Sequence, residues 1–241
     1  MKDKMHRSKL RTSPDANRVA RRSLVLAAVV CRGSIDDHSD QSEAEALRTR
    51  VLEWLTKLAL WDEVEPSEEK ILHTPIGQLE QKDVNRAIWY VEGLAVLAWA
   101  LHKYEFPRHD QLVIPHEVAE AVYFLCEDAE ELIRTARLRS RIKLNACWEL
   151  LYAIHTRLRY FLRNGRSKDF TTWVEKIWID ALGIEASHLI VDNDLAIDNK
   201  PISEVDYDRV RECDSITYER HRAIIWLVEH YPSYSQTPVD T

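Results

Sequence analysis

Glycine is scarce in this chain: only five of its 241 residues are glycine, and no two of them are adjacent. Gly-rich loops that cradle phosphates, and the glycine turns of dinucleotide-binding folds, need several glycines close together. Sheets joined by many tight turns need them too. The sequence therefore argues against these classes of protein.

Cysteines and long apolar stretches are also few. The four cysteines lie far apart without a C-x-x-C pair, and three of them fall in apolar helical patterns, as reduced thiols of a cytoplasmic protein do. No apolar stretch reaches the roughly 20 residues needed to span a bilayer. Residues 24–31 follow a basic stretch but lack a small-residue cleavage site, so we interpret them as part of the first helix rather than a signal peptide. We predict a cytoplasmic protein with no membrane partner.

Positive charge is in deficit, since 33 Lys and Arg face 40 Asp and Glu and give a formal net charge of −7. This balance opposes binding to the phosphates of nucleic acids, and we predict no nucleic-acid partner. Basic residues crowd residues 1–14, which we expect to form a basic, disordered tail. The length of the remainder, residues 15–241, favours one helical domain.

Apolar residues recur at helical spacing through most of the chain. The segment 189–202 differs, because Asn193-Asp194 and Asp198-Asn199, which favour turns, separate short apolar runs and predict a small hairpin. The predicted fold class is all-α, a mainly helical single domain with a small two-stranded β-hairpin before the last helix. Predicted helices cover residues 15–31, a segment capped by Ser39 or Ser42, a short helix from Pro66, residues 79–104, a helix from Pro115, a segment through 132–133, and residues 140–164, 170–182 and 203–230.

Glu92 is the only Asp, Glu, Lys, Arg or His in the apolar run of residues 87–101. A helix that is apolar all round is buried, and an unpaired charge there costs several kcal/mol. We therefore predict that Glu92 is buried and paired with Arg139, Arg220 or His221 from another helix. Exposure of more than half of Glu92, or the lack of a cation within about 4 Å, would contradict this prediction.

Glu149 and Glu219 also stand beside aromatic residues in apolar helical surroundings. The predicted buried polar network consists of Glu92, Arg139, Glu149, Arg220 and His221. One interpretation is an ion-pair network that only fixes helix register. The other is a polar pocket in which Glu92 or Glu219 works with His221 as acid or base, which makes these three the catalytic candidates.

Metal and nucleophile motifs are weak. The single E-x-x-H, from Glu185 to His188, lies beside the predicted hairpin, and in the segment that starts at His116 the second histidine of a zinc-protease helix is replaced by Glu120. The chain has neither a G-x-S-x-G elbow nor a P-loop. We predict no metal site and no cofactor.

The last predicted helix carries E-R-H-R-A at residues 219–223, and the chain ends T-P-V-D-T. W-x-x-E at residues 89–92, W-A-L at 99–101 and L-R-S at 138–140 accompany them. Together these segments resemble a bacterial family catalogued as domain of unknown function 4272. The resemblance implies no activity, cofactor or catalytic residue. It does imply motif positions for Glu92, Arg139, Glu219, Arg220, His221 and Asp240.

Two functions follow from these features. The leading interpretation is a noncatalytic cytoplasmic helical binding or scaffold protein with a buried Glu/Arg/His network. The alternative is a hydrolase-like enzyme that uses Glu92 or Glu219 with His221 in a polar cavity. An enzyme needs a solvent-connected cleft where these side chains converge, whereas a scaffold needs them sealed and an apolar patch outside. The sequence leaves a protein or small-molecule partner open and is compatible with a homo-oligomer.

Overall fold

Helices dominate the computed structural model, which describes residues 13–229 and 231–240. Its mainly helical single domain confirms the predicted fold class, while residues 1–12 of the predicted tail lie outside the described residues. Within that part of the chain the α-helices are α1 (Ala16–Ser34), α2 (Gln41–Lys57), α3 (Pro66–His73), α4 (Gln81–Ala100), α5 (Pro115–Ala121), α6 (Ala129–Thr135), α7 (Arg141–Asn164), α8 (Thr171–Val174) and α9 (Tyr207–Val228).

The small sheet has three antiparallel strands rather than the predicted two. They are β1 (Ile190–Val191), β2 (Asp194–Ile197) and β3 (Lys200–Pro201), in the order β1-β2-β3. Residues 192–193 and 198–199 all have positive φ, between 49° and 63°, as two-residue hairpin turns require. Each Asp-Asn pair therefore makes its own hairpin, and the second pair folds a third strand onto the sheet.

The segment predicted as one helix over residues 170–182 is interrupted. Only α8 is α-helical, and a 3₁₀ turn covers Ile179–Leu182. Ile177 and Ile179 are both buried, whereas Trp178 is 60% exposed and has ψ 66°. Residues two apart lie on opposite sides of an α-helix, so the chain leaves the helical conformation to bury both isoleucines.

Two predicted helix ends also differ. Asp40, rather than Ser39 or Ser42, caps α2, and its carboxylate accepts the backbone N–H groups of Ser42 and Glu43 at 3.0 Å each. Helix α4 ends at Ala100 instead of near residue 104, because His102 has a φ of 62° that an α-helix does not admit.

Helix α4 is the centre of the domain, as its apolar run predicts. It packs between α1 and α9, and α7 packs against another side of α9. Every residue from Tyr90 to Leu101 is buried. A second apolar cluster joins α7, α8, the sheet and the first half of α9. Among the described residues no helix is both long enough and apolar enough to cross a membrane.

Candidate functional site

Glu92 is fully buried on α4 and faces Arg220 on α9. The Nε of Arg220 donates to Oε2 of Glu92 at 2.8 Å, and its Nη2 lies 2.6 Å from the same oxygen. Neither side chain is more than 1% exposed. The other carboxylate oxygen of Glu92 accepts the backbone N–H of Val113 at 3.1 Å. Of the three cations considered for Glu92, the structure therefore places Arg220 beside it.

Arg220 also binds the loop between α4 and α5. It donates to the carbonyl oxygens of Arg108 at 2.5 Å and Gln111 at 2.7 Å. Burial lowers the pKa of Arg220, and the adjacent Glu92 carboxylate opposes this shift. One buried ion pair thus ties together two helices and a loop, which is the arrangement of a structural pin rather than of a reactive group.

Arg139 and Glu149 lie outside this network, which corrects the predicted membership. The Nε of Arg139 donates to the carbonyl oxygen of Trp99 at 2.7 Å, and the guanidinium lies 5.1 Å from the centroid of the Trp99 ring. Arg139 therefore supplies a hydrogen-bond donor to a backbone carbonyl group at the C-terminal end of α4. Glu149 is exposed, because residues 147 and 151, each two positions away on α7, form the buried face.

His221 is buried, but its partner is His155 of α7. The two Nδ1 atoms lie 3.1 Å apart, and neither residue is more than 1% exposed. Burial, assisted by His221 and Arg159, lowers the pKa of His155 to about 3, and burial lowers the pKa of His221 to about 4. Both rings are therefore neutral at pH 7. Because Arg159 donates its Nε–H to Nε2 of His155 at 3.3 Å, the Nδ1 of His155 carries the proton shared with His221.

The three catalytic candidates do not converge. Consecutive residues of an α-helix point about 100° apart, so Glu219, Arg220 and His221 face three different surroundings. Arg220 meets Glu92 in the core and His221 meets His155. Among them only Glu219 lines a cleft that is open to solvent.

That cleft, about 790 Å³ in volume, lies between α4 and α9. The lining residues of each helix recur at helical spacing and so form one polar stripe per helix. The stripe of α4 is Lys82, Asn85, Arg86, Trp89 and Tyr90, that of α9 is Asp214, Ser215, Tyr218, Glu219 and Arg222, and Ser67, Arg159 and Ser235 complete the lining.

Glu219 has the most altered acidity of the cleft carboxylates. It is 8% exposed, and its Oε2 accepts a hydrogen bond from Nη1 of Arg222 at 2.9 Å. Burial raises the pKa of Glu219 to about 7, Arg222 and Arg86 oppose the shift, and the charge of Glu92 adds to it. Near neutral pH this carboxyl group is therefore present in both protonation states.

Two arginines of the cleft are held in place by their neighbours. The guanidinium carbon of Arg222 lies 4.8 Å from the ring centroid of Tyr218 and 6.0 Å from that of Tyr90. The Nε of Arg159 lies 3.1 Å from Oδ1 of Asp214. Arg159 also contacts the imidazole ring of His155. Each of the two arginines thus has a carboxylate and a ring beside it.

A second groove of about 710 Å³ lies on α2 and α3. Every charged residue that lines it is exposed, whereas the α4–α9 cleft contains the buried Glu219. Burying a charged group is costly and is characteristic of functional sites, so the α4–α9 cleft is the better candidate. Residues lining the second groove include Glu53, Lys57, Trp61, Glu69 and His73.

Sequence reasoning missed most of the cleft. Arg86, Arg159, Tyr218 and Arg222 were not among the predicted site residues. A signal was present, because Lys82, Arg86 and Trp89 and their α9 counterparts recur at three- and four-residue spacing as a polar stripe. Within the described residues, no group of three or more His, Cys, Asp and Glu side chains is placed to hold a metal ion.

The titration of Glu219 predicts a pH-dependent stability. Its pKa is raised in the folded state, so its protonation stabilises the fold below its ordinary pKa, and this contribution is lost as pH rises through about 7. Between pH 5 and 8, the free energy of unfolding of the wild type should therefore fall relative to Glu219→Gln. The steepest slope should approach, without exceeding, the limit of about 1.4 kcal/mol per pH unit.

Urea unfolding at each pH measures this difference, and contributions of His155 and His221 cancel because both proteins contain them. Glu204→Gln, at an exposed glutamate, is the matched control. Its free energy of unfolding should differ from that of the wild type by the same amount at every pH. If the difference in free energy of unfolding between Glu219→Gln and the wild type is also independent of pH, the raised pKa of Glu219 is wrong.

The fold and the cleft define a class: a helical single-domain protein with a polar, partly aromatic cleft between two helices. The chain belongs to the family described as Domain of unknown function (DUF4272), whose model matches residues 6–170. The match includes α4 and ends before α9, so it does not extend to the E-R-H-R-A segment. No curated protein and no solved structure matches the chain.

Proposed function

We propose that this protein is a noncatalytic binding protein that takes a small molecule in the cleft between α4 and α9. The observation that carries the proposal is the convergence of charged and aromatic side chains from both helices on a solvent-connected cleft of about 790 Å³. This volume is typical of ligand sites. The sealed Glu92–Arg220 pair supports the proposal, because it joins the same two helices and holds the walls of the cleft in register.

We also propose a cytoplasmic location in a bacterium. The family resemblance supports the source, and the four cysteines, all free thiols, support a reducing compartment. Burial raises the pKa of Cys213 to about 12, which keeps that thiol protonated and unreactive.

A screen by thermal shift tests the binding function. The full chain is heated with each member of a library of neutral, cationic and anionic metabolites. A ligand present at about 100 times its Kd stabilises the fold by about 2.7 kcal/mol. For a chain of this length we therefore expect at least one compound to raise Tm by about 5 to 10 °C.

Two serine variants show whether the cleft is the site. Ser215→Trp fills the cleft from α9 and should abolish the shift, whereas Ser203→Trp changes an exposed serine elsewhere and should preserve it. Equal shifts in both variants would place the ligand outside the cleft. A library without any stabilising compound would contradict the binding function itself.

A hydrolase-like enzyme is the second candidate, and one observation favours it. A cleft carboxyl group whose pKa is near 7, that of Glu219, can act as acid or base at neutral pH. Glu92 and His221 have no part in this version because they do not line the cleft. Each stabilising compound is incubated with the protein and quantified: a binding protein leaves it intact, whereas an enzyme consumes it and Glu219→Gln stops the loss.

A further inference from the structure

We infer that the ligand of the α4–α9 cleft is a small anion that carries an aromatic ring, with Arg159 and Arg222 at the anionic group and Trp89 at the ring. The inference rests on the proposed binding function and adds the chemical class of the ligand.

Cationic side chains are concentrated in the cleft. Four cations line it, and each lies within 4 Å of a carboxylate: Lys82 pairs with Glu80, Arg86 with Asp83, Arg159 with Asp214 and Arg222 with Glu219. A guanidinium group has five N–H donors, so Arg159 and Arg222 can bind an anionic ligand oxygen while each stays paired with its carboxylate.

Arg159 and Arg222 are prepared to bind a planar or tetrahedral anion. Their guanidinium groups are already oriented by Asp214 and Glu219, at 3.1 and 2.9 Å, so little side-chain entropy is lost when a ligand binds. The Nε of Arg222 is buried and has no hydrogen-bond partner within the described residues. A buried donor without an acceptor is costly, and a shift of the Arg222 side chain toward a ligand oxygen in the cleft would remove that cost.

Trp89 provides a surface for a ring. Both tyrosines of the cleft already pack against Arg222, at 4.8 and 6.0 Å from ring centroid to guanidinium carbon. Trp89 lines the same cleft and is partly exposed, yet it stacks on no other ring in the part of the chain that the structure describes. An indole face in a cleft favours stacking on a flat ligand.

Matched probes test both halves of the inference by titration calorimetry on the full chain. The aromatic anions are phenyl phosphate, indole-3-acetate and adenosine 5′-monophosphate. Their uncharged counterparts are phenol, indole-3-acetamide and adenosine, and phosphate and acetate are the ringless anions. We expect at least one aromatic anion to bind at least tenfold more tightly than both its uncharged and its ringless counterparts.

Variants assign the effect to residues. Arg159→Gln and Arg222→Gln should each weaken the aromatic anion at least tenfold, and Arg222→Lys, which keeps the charge, should recover part of the loss. Arg211→Gln, on the exposed side of α9, should bind as the wild type does. Trp89→Leu should reduce the affinity to that of the ringless anion, whereas Trp178→Leu, at a 60% exposed tryptophan, should not.

The outcomes separate this inference from the proposed function. If no aromatic anion binds better than its uncharged counterpart, or if both glutamine variants bind unchanged, the anionic ligand is wrong. Should a neutral or cationic compound of the thermal-shift library nevertheless bind in the cleft, the binding function stands and only the ligand class is overturned. If compounds of every charge fail to bind, both are wrong. Circular dichroism of each variant establishes that it is folded before its affinity is compared.

Discussion

Replacing Glu92 by alanine is expected to lower the free energy of unfolding by about 3 to 5 kcal/mol. The loss is large because Arg220, 1% exposed, would keep its charge in the core without a carboxylate beside it. The backbone N–H of Val113 would lose its acceptor as well. Urea unfolding followed by circular dichroism measures the change.

Two controls distinguish the ion pair from a general effect of losing a glutamate. Glu149→Ala removes an exposed carboxylate from α7 and should change the free energy of unfolding by less than about 0.5 kcal/mol. The double variant Glu92→Met/Arg220→Met should be more stable than Glu92→Ala, because no uncompensated charge remains in the core. A loss of less than about 0.5 kcal/mol for Glu92→Ala would contradict the structural role of the pair.

Gly93→Ala is expected to cost about 3 kcal/mol, although alanine is the better helix former by about 1 kcal/mol. A Cβ at this position of α4 would overlap the hydroxyl oxygen of Tyr234 and lie 3.3 Å from the carbonyl oxygen of Glu219. The Tyr234 ring is fully buried against Tyr90 and Trp226, with centroid distances of 6.1 and 5.8 Å. It therefore has no room to move away.

The segment that carries Tyr234 is also fixed. The carboxylate of Glu65 accepts the backbone N–H groups of Tyr234 at 2.5 Å and of Ser235 at 3.0 Å. The Tyr234 hydroxyl has no hydrogen-bond partner among the described residues, so Tyr234→Phe alone should change stability by less than about 1 kcal/mol.

Combined with Gly93→Ala, Tyr234→Phe should recover at least half of the loss, because it removes the atom that the new Cβ overlaps. Thermal and urea unfolding of the four proteins measure this coupling. A Gly93→Ala variant as stable as the wild type would show that helix propensity outweighs the close approach of Tyr234.

Local patterns in the sequence were sufficient for most helices and for the burial of Glu92. Helical periodicity depends on neighbours three and four residues away, so it can be recognised in the sequence before the fold is known. The choice of Arg220 over Arg139 and His221 as partner was not accessible in this way. It depends on which face of α9 meets α4, a contact between residues 128 positions apart in the sequence.

The cleft was less predictable than the core for the same reason. Ser67, Arg159 and Ser235 come from three separate segments and complete a lining that α4 and α9 begin. Nothing in their local sequence indicates that they meet, because their proximity arises only from packing. The prediction of one helix over residues 170–182 was wrong because it, too, ignored packing. Burial of both Ile177 and Ile179 outweighed local helical propensity.

We propose that the functional site is the cleft between α4 and α9, whose walls are joined by the Glu92–Arg220 pair. Amide chemical-shift mapping by NMR, during titration of the full chain with the three aromatic anions, tests whether ligands bind there. We expect the largest changes on residues 82–90, 159 and 214–222. Largest changes at the groove of Trp61 and His73 would contradict this proposal.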